Sequence, residues 1–230
     1  MFELNYSKVN SYLFCPYLYK FIYIDKKYTP HTPKTSFGLS IHKTLREYAR
    51  TKANLHQLMF LYEENWCNYG YSFPQQMMEY YEKGKDILKN FYEVESHSRS
   101  QILYFEDFFE VKIDEDFVLK GTVDRVDRDE DGKIEVIDYK LGFDDNGEKK
   151  DLQLMIYAYG VSKKYMIDVS FVSYYFLINP KKVKMKYIFD SYLIDFLIET
   201  GRKMENMIFD RKGNCAKCLA KSVCSLSEAK

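Results

Sequence analysis

A surplus of either charge is missing from this chain. Its 230 residues carry 34 Lys+Arg and 34 Asp+Glu, so the net charge is zero and bulk electrostatics names no partner. No apolar run approaches the roughly 20 residues that a membrane helix needs; Phe171–Ile178 has only the length of a strand. The opening MFELNYSKVNSYLF lacks the basic start and long apolar core of a secretory signal. Together these absences predict a soluble, cytoplasmic protein with no membrane partner. Five cysteines in a reducing compartment are then not expected to pair as disulfides. No G-x-x-x-x-G-K-[ST] occurs, so no ATP motor is built in. Repeats, low-complexity segments and a clear linker are also missing.

What the chain does have is apolar mass, at 46% hydrophobic residues, which excludes disorder. Against a single Trp stand 22 Tyr and 17 Phe, suited to a tyrosine-rich core and to half-buried stacking surfaces. Charge is unevenly spread. Glu106 to Asp131 holds eleven acids and four bases, whereas Lys181, Lys182, Lys184 and Lys186, and later Arg202, Lys203, Arg211, Lys212, Lys217 and Lys221, lean basic. An acidic centre with basic flanks suits a metal site approached by a polyanion; a solvated charge pattern is the alternative, above all for the lysine-rich segment around Lys182.

Hydrophobic spacing predicts helices first: one capped by Ser7 and broken at Pro16, then about 37–52, 55–69 and 74–95. Strands follow over 102–113, 117–127 and 134–140. A turn-rich loop over 142–148 leads to a helix over about 151–165, a strand pair 169–178 and 182–189, and a last amphipathic helix 192–209. This order, α, then β, then β–α–β, predicts one α/β domain over 1–230 with a mixed central sheet flanked by helices. A helical cover spans 1–100, the core 101–190, and a final helix and cysteine tail 191–230.

The stretch VLKGTVDRVDRDEDGKIEVIDYK, residues 118–140, carries the chemistry. It reads as two strands joined by a tight turn, and alternation puts Asp138 and Lys140 on one face. A two-residue loop, Asp131-Gly132, would turn Asp124 to the other face. A three-residue loop, Glu130-Asp131-Gly132, places Gly where a left-handed residue is wanted and sets Asp124 opposite Asp138. Like charges directly opposed are destabilising unless a cation or solvent intervenes. Two carboxylates and a lysine so placed suit a divalent ion hydrolysing a phosphodiester, with the lysine offsetting developing charge. An ordinary polar hairpin is the competing reading.

His42 follows Gly38 by four residues on a helix and is either a ligand or a structural histidine. Glu110 faces either the same cavity or solvent. Gln153 and Tyr157, four apart, share a helix face within reach of Lys140. Cys215, Cys218 and Cys224, in a short polar tail, want a fourth soft ligand, and Cys15 is the better candidate; Cys67, in an aromatic context, reads as a buried small hydrophobe. Four thiolates suit zinc or an iron–sulfur cluster. Zinc usually takes two C-x2-C pairs, which favours 4Fe–4S. Closing so long a loop would stabilise the fold by several kcal/mol, since a 100-residue disulfide loop gives roughly 4.7.

Taken in order, these pieces resemble the RecB-like branch of the PD-(D/E)XK nuclease superfamily, and within it the members with an iron–sulfur clasp, the AddB nuclease domain and the CRISPR-associated exonuclease. The resemblance rests on Cys15-Pro16, Gly38 with His42, Gly121 with Asp124 and its continuation Arg125-Val126-Asp127, Asp138-Tyr139-Lys140, Gln153 with Tyr157, and Cys215, Cys218 and Cys224. It implies a restriction-endonuclease-like fold. It also implies His42, Asp124, Asp138 and the Tyr139 carbonyl as ligands of Mg2+ or Mn2+, and Lys140 as the catalytic lysine. Gln153 and Tyr157 would support that lysine and contact DNA, and the four cysteines would hold a 4Fe–4S cluster. The implied activity is a deoxyribonuclease, an exonuclease on single-stranded DNA ends or overhangs. Its settings would be repair, recombination or CRISPR spacer acquisition, with a helicase or CRISPR integrase as possible partner. The alternatives are a non-catalytic DNA-end-binding iron–sulfur adaptor subunit and a redox-responsive iron–sulfur regulator.

Overall fold

The computed structural model describes residues 1–27, 31–51, 53–142, 152–210, 212, 215–218 and 220–227. The loop expected after Gly142 falls outside them, as do part of the Thr29–Pro33 loop and the first residue of the helix expected from Asp151. The chain divides into two compact units that interleave along the sequence: Met1–Pro30 with Phe109–Gly121 and Phe189–Lys230, and His31–Phe108 with Thr122–Ile188.

The second unit begins with three helices, α3 (Pro33–Thr51), α4 (Leu55–Glu64) and α5 (Pro74–Glu95). Their apolar faces meet the sheet in one core, where Phe37, Ile41, Leu45, Leu88 and Phe91 pack with Ile137 and Tyr139. A capping box starts α4: Asn54 accepts from the Gln57 N–H while the Gln57 side chain accepts from the Asn54 N–H. The helix ends at Glu64, short of the expected Tyr69. There the Asn65 side chain binds the Leu61 carbonyl, and Trp66 leaves the helix to stack on Tyr71 and meet Tyr81 edge-on. Tertiary packing overrides the helical pattern at that point.

The strands of this unit follow the expected meander and crossover. They are β2 (Gln101–Lys112) and β3 (Phe117–Arg128), both shared with the first unit, then β4 (Ile134–Lys140), β5 (Val169–Phe176) and β6 (Lys181–Lys186). Strand order runs β3-β4-β5-β6, with β2 on β3. β3 and β4 are antiparallel in the register Val126↔Val136. Their turn is the three-residue loop: the Asp129 N–H donates to the Lys133 carbonyl, and Gly132 sits at φ 76°. The helix α6 (Leu152–Tyr165) connects β4 to β5, which lies parallel to it, and β6 returns antiparallel. The result is a mixed sheet flanked by helices.

The first unit holds β1 (Phe2–Leu4), α1 (Tyr6–Phe14), α2 (Pro16–Tyr19), a π-helical continuation Lys20–Ile24, and α7 (Tyr192–Glu205). β1, too short to be seen in the sequence, pairs parallel with the start of β3. Asn5, not Ser7, caps α1 by accepting from the Lys8 N–H. Pro16 opens α2 at its first turn, leaving Cys15 in an extended conformation between the two helices. Gly201 of α7 lets the Phe117 ring approach to 2.6 Å from where a Cβ would stand. Among the described residues, no helix is long and apolar enough to cross a membrane.

Candidate active site

Continued past Arg125↔Ile137, the β3–β4 register sets Asp124 across from Asp138, with Lys140 one pleat further on the same face. The Tyr139 N–H donates to Asp124 Oδ2 (2.8 Å), which fixes that carboxylate at the ribbon's end. From α3, the His42 ring comes to 3.9 Å of the same oxygen. From α6, Gln153 ties three groups together. Its Oε1 accepts from Lys140 Nζ (2.8 Å), and its Nε2 donates to Asp138 Oδ1 (2.7 Å) and to Tyr157 Oη (3.1 Å). Lys140 Nζ also lies 2.6 Å from Asp138 Oδ2, and 5.1 Å over the Tyr174 ring. Asp138 Oδ2 is buried, and the Lys140 ammonium is the charge it meets.

His42, Asp124, Asp138, Tyr139, Lys140, Gln153 and Tyr157 are therefore brought together. The site's charge is poorly compensated. Burial raises Asp124 to about 6, against the Tyr139 N–H bond and the Lys140 charge that lower it. Burial and the neighbouring Asp124 carboxylate raise Asp138 to about 7. Desolvation lowers the His42 imidazole, which favours its neutral form. His42 and Lys140 form the accessible rim, at 35% and 34% exposure, above Asp138 at 4%.

One carboxylate that the sequence did not single out belongs here. Glu106 on β2 adopts φ 40°, a backbone conformation rare outside glycine, and its charge acts on both Asp124 and His42. The β2 acid weighed from the sequence was Glu110, left facing either this cavity or solvent. That residue belongs to the other unit and pairs with Lys120 at 3.2 Å. Gly121 of the motif serves packing: a Cβ there would stand 2.5 Å from the Phe109 ring.

Among the described residues, no three or more His, Cys, Asp or Glu side chains are arranged to hold a metal ion. The donor types nonetheless fit a hard divalent cation: buried Asp138, half-buried Asp124 and an imidazole beside them. In the first unit, Cys15, Cys215, Cys218 and Cys224 line one cavity with Phe14 and Leu18. All four thiols are free. The Lys212 N–H points at Cys15 Sγ (3.4 Å), and burial followed by the neighbouring thiols raises Cys218. In donor type, though not in their arrangement, these four thiols match a thiolate-bound centre. Cys67 is buried, as expected.

No curated protein matches the sequence. Among solved structures, a Eubacterium rectale protein described as a "Putative exonuclease" aligns at 11% identity, covering 98% of this chain and 90% of its own, with a TM-score of 0.57. A second, SSO0001, aligns at 14% identity over 95% of this chain and 92% of its own, with a TM-score of 0.43. The profile of the PD-(D/E)XK nuclease superfamily matches residues 3–225, nearly the whole chain with its Asp124, Asp138 and Lys140, and the protein belongs to that superfamily.

Proposed function

We propose that this protein is a Mg2+- or Mn2+-dependent DNA nuclease, an exonuclease acting on single-stranded ends or overhangs. The observation that carries the reading is a pair of carboxylates, buried Asp138 and half-buried Asp124, gathered at the end of one hairpin with Lys140 in contact with one and His42 beside the other. Acids so placed are unfavourable unless a cation joins them. Asp124, Asp138, His42 and the Tyr139 carbonyl would hold a divalent ion, which supplies Lewis acidity and offsets charge on the phosphate. The histidine donor lets Mn2+ compete with the oxygen-preferring Mg2+.

The remaining residues act by position. Gln153 holds the Lys140 ammonium on the Asp138 side of the site, where it stabilises charge developing on the phosphate oxygens. Tyr157 fixes the Gln153 amide from the next helical turn. The description of the Eubacterium rectale structure agrees with an end-directed activity. Cutting of end-labelled single strands in Mn2+, stopped by EDTA and restored by Mn2+, is the expected result; cutting that persists in EDTA removes the metal from the reaction.

The four cysteines are assigned to a 4Fe–4S clasp joining the two ends of the chain, zinc being the competing occupant. Anaerobically purified protein should be brown, with broad visible absorbance that Cys15→Ser abolishes. A colourless, zinc-loaded and active preparation decides for zinc. Repair and CRISPR spacer acquisition, with a helicase or integrase partner, are the settings this activity would serve.

A further inference from the structure

Arg46 stands one helical turn beyond His42 on α3, so the two share a face. Its guanidinium reaches two carboxylates, Glu47 from Nε (3.1 Å) and Glu106 from Nη1 (3.5 Å). One turn from His42, with Glu106 of β2 in contact, the guanidinium stands at the border of the candidate site. Arg46 is 40% exposed, more open than Glu47 at 29% or Glu106 at 26%. Glu47 is shared with Arg50, at 3.7 Å.

Three features separate Arg46 from an ordinary surface ion pair. The guanidinium has five N–H donors, and these contacts use one on Nε and one on Nη1. The Glu106 contact is long and partly solvated, so Arg46 can leave it at little cost. Finally, the site has too few cations for a polyanion. Three carboxylates, Asp124, Asp138 and Glu106, gather there, and Lys140 is committed to Asp138 and Gln153. A DNA strand approaching these acids needs a positive group at the rim, and a planar fork held by carboxylates presents bidentate phosphate geometry.

We infer that Arg46 binds a backbone phosphate flanking the scissile one, exchanging its contact with Glu106 for the DNA strand. This rests on the nuclease reading of the same site and names the group that registers the strand in it. The test uses the full-length protein and a labelled single-stranded oligonucleotide, with binding followed by fluorescence anisotropy in EDTA and cleavage followed separately in Mn2+. Arg46→Ala should weaken binding and raise KM about tenfold or more, as expected for a lost charged hydrogen bond, with a smaller change in kcat. Arg46→Lys should recover part of the loss. The salt dependence of binding should fall by about 0.7 in log–log slope, one single-strand phosphate contact.

A series of oligonucleotides with one neutral methylphosphonate linkage at successive positions gives the sharper readout. One position should impair wild type and make no difference to Arg46→Ala. Unchanged affinity and salt slope in Arg46→Ala, or an interference pattern identical to wild type, overturns the inference and leaves Arg46 as a counter-ion for Glu106. If wild type binds through Arg46 but never cuts in Mn2+, the nuclease reading falls while this one stands. If it cuts and Arg46→Ala cuts with the same KM, the reverse holds.

Discussion

The two faces of the β3–β4 ribbon handle acidic residues in opposite ways. On one, Asp124 and Asp138 share a single lysine, Lys140, which Gln153 also holds. On the other, Arg125, 1% exposed, forks onto Asp127 (2.6 and 2.7 Å), reaches Glu95 (2.8 Å), and donates to the Tyr139 hydroxyl (3.3 Å). The buried Glu135 beside them accepts from Ser173 and has Lys182 and Lys184 at 3.5 and 3.7 Å. Both faces bury carboxylates on the same two strands. Neutralisation within the fold marks structure, and its shortfall marks the place where an external cation is wanted.

The largest effect separating the faces should come from Arg125→Met. It strands Asp127 and Glu95 in the core, and breaking a buried pair in this way costs about 3–5 kcal/mol. Denaturant unfolding measures it, and a loss below 1 kcal/mol would mean the network is dispensable. Lys140→Ala should do the opposite, keeping the fold and its melting temperature while lowering cleavage about a hundredfold to a thousandfold, the range for one lost charge-stabilising donor. Single-turnover assays of that variant retaining wild-type rates would remove the lysine from the mechanism.

A pH series sharpens the same contrast at intermediate size. Asp124 and Asp138 are raised in the folded protein, to about 6 and about 7 from 3.8, so the folded state binds protons where the unfolded chain has released them. Stability contributed by these groups is therefore greatest at acid pH and is lost as pH rises from about 4 to about 7. In EDTA at constant ionic strength, Asp138→Asn should melt with a shallower decline over that window than wild type, and added Mn2+ should raise the wild-type melting temperature more at pH 8 than at pH 5. Parallel curves for the two proteins would refute this account of the site. The smallest effect belongs to Lys184→Ala on the balanced face: about 1 kcal/mol or less, because Glu135 keeps Ser173 and Lys182, with cleavage unaltered.

How far the sequence reached follows from the range of each signal. The turn residues Glu130, Asp131 and Gly132 are local, and the three-residue loop they make sets Val126 against Val136. Helix periodicity placed α3, α5 and α6 to within a few residues, and with α6 the position of Gln153 beside Lys140. What stayed hidden depends on partners distant in sequence. Arg125 reads as one more charge in an acidic stretch until α5 delivers Glu95 to it. Glu106 meets its partner Arg46 across 60 residues of sequence. β1 has only three residues and forms because β3 offers a parallel edge.

Tyr139 occupies both faces at once. Its main-chain N–H anchors Asp124 on the reactive side, while its ring lies among Phe91 and Tyr175 and its hydroxyl meets Arg125 on the other. Disturbance among the aromatic residues of α5 thus has a direct mechanical route to the carboxylate opposite. Variants selected for altered cleavage should consequently turn up at positions such as Phe91 and Glu95, well outside the reacting groups themselves.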